Sequence, residues 1–167
     1  MRLAGIINDS IVDGPGIRTV FFMQGCLRHC PGCHNPQTWD MEGGKEFGVS
    51  ELLAIVESNP LCHGVTLSGG EPFLQARELI PFVKALKERG YEVASYTGFL
   101  YEDLLNGTEA TRELLGYLDV LIDGPFIESE KSLELNFRGS RNQRIINVPE
   151  SLKARKVVLE ESERWTG

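Results

Sequence analysis

Apolar residues along this chain fall into short runs that alternate between two periods. Residues 3–7 (LAGII) and 19–24 (TVFFMQ) are compact and rich in β-branched and aromatic side chains, which reads as two strands. Asp13-Gly14-Pro15-Gly16 between them is turn chemistry. From Ser50, placed as an N-cap, the period lengthens: Leu52, Leu53 and Val56 share one face of a helix. Residues 64–67 (GVTL) form a buried strand running into Ser68-Gly69-Gly70. Pro81 is expected to open the next helix, with Phe82, Val83 and Leu86 on its apolar face and Gly90 at its end. Residues 91–96 (YEVASY) and 119–122 are strands, with a helix over 109–115 between them. Residues 144–148 (RIINV) and 156–159 (KVVL) carry less regular strand patterns.

Strand and helix alternating in this way predict an α/β fold with a mainly parallel sheet and right-handed crossovers. A complete (β/α) barrel takes ~250 residues, so 167 residues complete only an open, partial barrel. Ligands in such folds sit at the C-terminal ends of the strands. The loops at 25–35, 68–72, 97–99 and 123–126 all follow strands, so they are where chemistry is expected.

Composition narrows the function classes. Hydrophobic residues make up 41% and charged residues 25%, enough for one packed domain spanning 1–167 without disulfide staples. A net charge of −7 argues against nucleic acid or an anionic membrane surface as partner. The apolar start of the chain stops at Asn8-Asp9, too short for a signal peptide, and no run approaches a membrane span, so the expected address is cytoplasmic. Three of the four cysteines fall within eight residues, which in a reducing compartment points to metal binding or catalysis.

Those three are Cys26, Cys30 and Cys33, spaced C-x3-C-x2-C, with Gly25, Pro31 and Gly32 allowing a tight backbone wrap. Three chemistries fit the spacing. Structural zinc needs a fourth ligand, with His29, His34, Cys62 or His63 as candidates. An electron-transfer iron–sulfur cluster also needs a fourth ligand. A [4Fe-4S] cluster held by three thiolates leaves one iron open to substrate, and the compact loop with an isolated Cys62 favours this reading. Cys62 reads as a buried apolar thiol. A non-catalytic iron–sulfur or zinc module is the alternative from a different class.

The C-x3-C-x2-C loop resembles the signature of the radical S-adenosylmethionine superfamily. Ser68-Gly69-Gly70-Glu71-Pro72 resembles that family's loop for the methionine end of the cofactor. DGPGIR (13–18), GCLRHCPGCHNPQTWD (25–40) and LSGGEP (67–72) are similar to the glycyl-radical activating enzymes. Within that group YTGF (96–99), DVLIDGPF (119–126) and RGSRNQRI (138–145) look like the activators of anaerobic ribonucleotide reductase. The sibling activators of pyruvate formate-lyase share the first three motifs. They carry an Asp-Thr pair for a monovalent cation where this chain has Ser95 and Tyr96, so that site is not carried over. The resemblance runs from about residue 6 to 148 and leaves 149–167 without a functional reading.

The resemblance implies a radical S-adenosylmethionine fold and a [4Fe-4S] cluster on Cys26, Cys30 and Cys33. S-adenosyl-L-methionine would lie along Gly32, Cys33, His34 and Asn35, with its methionine end at Gly69, Gly70 and Glu71. Reductive cleavage would give a 5′-deoxyadenosyl radical that takes hydrogen from a glycine of the reductase large subunit. A one-electron donor is also required. The expected effect of Gly70→Val is to block close approach of the cofactor while leaving the cysteine loop untouched. A pyruvate formate-lyase activator, or a small radical enzyme acting on a free metabolite, is the alternative within the enzyme class. Arg138, Arg141 and Arg144 form a locally basic stretch expected to serve docking or cofactor closure, or simply to be a solvated surface.

Overall fold

A computed structural model of the chain describes residues 1–166. The strands are β1 (Arg2–Ser10), β2 (Arg18–Met23), β3 (Lys45–Glu46), β4 (Gly64–Gly69), β5 (Glu92–Tyr96), β6 (Val120–Asp123) and β7 (Arg144–Asn147). The helices are α1 (Val49–Glu57), α2 (Ala76–Glu88), α3 (Tyr101–Leu105), α4 (Glu109–Tyr117), α5 (Val148–Ala154) and α6 (Glu163–Thr166). One seven-stranded sheet has the order β3-β1-β2-β4-β5-β6-β7. The central strands β2, β4, β5 and β6 are parallel. β1 and β7 flank them antiparallel, and β3 pairs antiparallel with β1. The sheet is open, with β3 and β7 at its edges, as the partial-barrel reading predicts.

Alternation along the strands decides the two faces. Phe21 and Met23 of β2, Val65 and Leu67 of β4, Val93 of β5 and Leu121 of β6 belong to the main core, where they meet Leu52, Leu79, Phe82, Leu86 and Leu115 of the helices. These side chains are almost fully excluded from water. At roughly 1.5–3 kcal/mol per buried large aliphatic or Phe side chain, this layer is the main source of stability. On the other face Ala94, Val120, Ile122 and Ile145 form a smaller cluster capped by Trp165 from α6.

That second face also carries Arg18, which has no exposed surface. Its guanidinium donates to the Thr66 hydroxyl (2.9 Å), to the Pro15 carbonyl (3.1 Å) and to Glu92 (2.8 Å). The Trp165 ring lies 5.5 Å from it, and Arg164 pairs with Glu92 from outside. The segment beyond residue 148, without function in the sequence reading, therefore closes one part of the sheet's second face.

Four expectations about elements are corrected. Pro81 lies inside α2, which begins at Ala76. Pro81 and Arg77, whose carbonyl loses its helical partner, both sit on the exposed side of the helix, where water can satisfy that group. The N-cap of α1 is Gly48, not Ser50, and Glu51 accepts from the Gly48 N–H at 3.1 Å. Residues 156–159 make only an isolated bridge, Leu159 to Ile146. Val148 opens α5 instead of ending a strand, because Asn147 accepts from the Glu150 N–H and Pro149 stands in the first turn.

Candidate active site

The cysteine loop leaves β2 and closes on itself. The Gly25 N–H donates to the Thr38 carbonyl (2.6 Å) and the Cys26 N–H to the Trp39 carbonyl (3.2 Å), which forms a neck. Inside it the Cys33 N–H donates to the Cys30 carbonyl, and the Asn35 N–H reaches the Cys33 sulfur at 3.4 Å. Gly32 has φ of +74°, a left-handed conformation that glycine adopts without strain. Burial pushes the Cys26 thiol up, while the N–H groups of Arg28 and His29 pull it back towards the thiolate.

The glycine-rich loop after β4 is stitched to that neck. The Gly70 N–H donates to the Met23 carbonyl and the Glu71 N–H to the Gly25 carbonyl, both at 2.8 Å. A Cβ on Gly70 would stand 2.3 Å from the Gly25 carbonyl oxygen. The expectation that Gly70→Val would spare the cysteine loop is therefore wrong: the bare backbone at Gly70 makes room for the cysteine loop itself.

Glu71 is 3% exposed. Its carboxylate accepts from the Gly98 N–H (2.7 Å), the Phe73 N–H (3.1 Å) and the Thr97 hydroxyl (2.9 Å). Burial pushes its pKa up, opposed by these donors and by the charge of Arg28. Both carboxylate oxygens are engaged, so Glu71 locks the β4 loop to the β5 loop.

A cavity of about 390 Å³ lies between these loops, and every sequence motif reaches it. Asp13, the three cysteines, Ser68 to Glu71, Tyr96 to Gly98, Phe126 and Arg138 each line part of its wall. His34 and Asn35 line it as well, and His34 packs on Phe126 with ring centroids 5.0 Å apart. Gly32 is not on the wall; it shapes the turn behind it.

The basic stretch divides into three separate positions. Arg138 lines the cavity, donates to the Gln143 carbonyl (2.9 Å) and keeps a buried Nε without a partner. Arg141 is exposed. Arg144 donates to Asp123 and, through both terminal nitrogens, to Glu102. A common docking or cofactor-closing role for the three is therefore not what the geometry supports for Arg144.

Two of the candidate fourth ligands, Cys62 and His63, lie far from the three cysteines, whereas His34 lines the same cavity and packs on Phe126. Cys62 precedes β4 and the cysteine loop follows β2, while the two strands run parallel with Arg18 opposite Gly64 and Met23 opposite Gly69. At about 3.3 Å per residue, Cys62 and His63 lie roughly 20 Å from the loop. Cys62 bonds to the Gly64 carbonyl (3.1 Å), and His29 stacks on Trp39 with centroids 4.5 Å apart. Among the described residues, no three His, Cys, Asp or Glu side chains are arranged around a single-ion position. The donor set is three soft thiols on one compact loop beside an open cavity, which fits a cubane with one open corner.

Comparison with known proteins supports an iron–sulfur cluster. Residues 12–146 match the family described as a 4Fe-4S single cluster domain. The anaerobic ribonucleoside-triphosphate reductase-activating protein of Enterobacteria phage T4 is 38% identical over 142 residues, covering 80% of this chain and 86% of that protein. The chain belongs to this family of activating proteins. The Haemophilus influenzae member is 34% identical over 141 residues, covering 80% of this chain and 89% of its own length. The pyruvate formate-lyase-activating enzyme of Clostridium pasteurianum is 44% identical over 117 residues, 65% of this chain, and the chain spans about half (49%) of that enzyme. The crystal structure of QueE from Escherichia coli shares the fold, with TM-score 0.51 at 16% identity over 73% of this chain and 70% of that chain.

Two residues of the cavity wall, Arg28 and Trp39, had no individual reading in the sequence. Arg28 sits in the x3 interval of the cysteine motif and crosses to the β5 loop, where it lies over the Phe99 ring. Trp39 lines the cavity beneath His29, with its indole nitrogen buried and unpartnered. Nothing periodic marks either residue. The signal was position alone, inside a loop already assigned to chemistry.

Proposed function

We propose that this member of the activating-protein family generates a glycyl radical on an anaerobic ribonucleotide reductase. In this reading Cys26, Cys30 and Cys33 hold a [4Fe-4S] cluster, and S-adenosylmethionine binds in the adjoining cavity. The carrying observation is that three thiols and every motif of the resemblance line one cavity, while Cys62 and His63 lie at the opposite end of the strands.

A reduced cluster on Cys26, Cys30 and Cys33, with S-adenosylmethionine in the adjoining cavity, would supply one-electron cleavage of the sulfonium S–C5′ bond and, from it, the means to take a hydrogen atom from the partner's glycine. The protein's own residues hold and shield. The three cysteines act as thiolates, so cluster uptake depends on pH. The Asn35 N–H steadies the Cys33 sulfur. Gly69 and Gly70 offer backbone close to the cysteine loop, and Glu71 fixes the β5 loop beside them, so its part towards the methionine end is positioning. His34 packed against Phe126 forms part of the same wall. Among the described residues no helix is long and apolar enough to cross a membrane.

The higher identity to the Clostridium enzyme favours a second reading, activation of pyruvate formate-lyase. The extent of the match along this chain favours the first, because the T4 activating protein aligns over 80% of it and the Clostridium enzyme over 65%. Anaerobic reconstitution with iron and sulfide tests the site itself. The reduced protein should give a cluster EPR signal that changes on adding S-adenosylmethionine. A signal indifferent to it would reduce the protein to an electron-transfer module.

A further inference from the structure

Arg28 stands between two of the cysteines and has an unusual course. Its stem passes directly over Gly98: a Cβ there would lie 2.4 Å from Arg28 Cδ and 2.6 Å from Nε. The guanidinium then rests on the Phe99 ring, 4.7 Å from its centroid. The same position on Gly98 is 3.5 Å from Glu71 Oε1. Arg28 appears in none of the ion pairs among the described residues. Glu71 and the three cysteines give this part of the cavity up to four negative charges, and Arg28 is the cation laid against them from the cysteine loop.

We propose that Arg28 is the counter-charge of the cluster site: held across Gly98 on Phe99, it favours the reduced, more negative cluster and so raises its reduction potential. The inference rests on the cluster reading above. The physical cause is a fixed cation close to a redox centre whose net charge falls by one on reduction. Arginine suits the place because its planar group stacks on the ring and stays charged at any working pH. Gly98 suits it because any side chain there would push the arginine stem away.

The test uses wild type, Arg28→Lys, Arg28→Gln, Gly98→Ala and the Arg28→Gln/Gly98→Ala pair, each reconstituted anaerobically. Each protein is poised at the wild-type midpoint potential, and EPR reads the ratio of reduced to oxidised cluster. In Arg28→Gln the ratio should fall about tenfold, equivalent to 59 mV for one electron. Arg28→Lys keeps the charge but loses the planar stack, so its ratio should fall less than that of Arg28→Gln. Gly98→Ala should lower the ratio by displacing the arginine, and should add nothing once Arg28 is Gln. An unchanged ratio in Arg28→Gln, or a fall as deep in Arg28→Lys, overturns the proposal. If Arg28→Gln takes up no iron, Gly98→Ala decides, and a wild-type ratio there overturns it. A wild-type protein that binds no cubane overturns the functional reading as well, whereas a wild-type cubane with equal ratios in all variants overturns this inference alone.

Discussion

Asp123 is fully buried at the end of β6, and its countercharge is Arg144. It also accepts from the Tyr101 N–H at 2.8 Å, so one carboxylate ties β6, β7 and the start of α3 together. Removing the arginine would leave an uncompensated charge in the interior. Arg144→Ala should therefore cost about 3–5 kcal/mol in denaturant unfolding. A loss below about 1 kcal/mol would return Arg144 to the surface role that the charge run suggested. Cys62 makes the opposite case. Packed beside Thr19 and bonded to the Gly64 carbonyl, it has no route to the cysteine loop. Cys62→Ala should keep about four irons per chain, and each of Cys26→Ala, Cys30→Ala and Cys33→Ala should lose them. Iron loss from the Cys62 variant would restore a four-ligand site.

At the scale of elements, the cysteine and glycine loops behave as one unit, joined at Gly25. Gly70→Val should disturb both, reducing iron content and abolishing the EPR response to S-adenosylmethionine together. A variant with full iron and no response would mean that the loops are separable. The C-terminal segment is a second unit. Trp165 is 1% exposed and covers Arg18, so Trp165→Ala should destabilise by about 3–5 kcal/mol. An unchanged midpoint would show that α6 is merely laid on the surface. The central strands and the site loops were legible because β-branched runs and turn residues mark them locally. Pro81 misled because proline was read as a helix start, although an exposed position in a helix with a strong apolar face tolerates it. The seat of Trp165 and the crossing of Arg28 were not legible, since both depend on contacts with residues more than sixty positions away. The split among Arg138, Arg141 and Arg144 was hidden for the same reason, because a charge run does not reveal which member has a buried partner.

For the whole molecule, the open sheet matters most. A closed barrel would wall off its interior, whereas here the four parallel strands are flanked by antiparallel edges and the cavity stays accessible from the side of the loops. That suits a reaction whose second substrate is a glycine in another protein's backbone. The site loops hold the thiols, the far end of the strands holds Cys62 and His63, and α6 covers part of the second face. The most direct test mixes the reduced, reconstituted protein and S-adenosylmethionine with the large subunit of an anaerobic ribonucleotide reductase, and in parallel with pyruvate formate-lyase. The account predicts a glycyl radical doublet in the EPR spectrum of the reductase, lost when Cys26, Cys30 or Cys33 is replaced by Ala. A doublet on pyruvate formate-lyase and none on the reductase would contradict it.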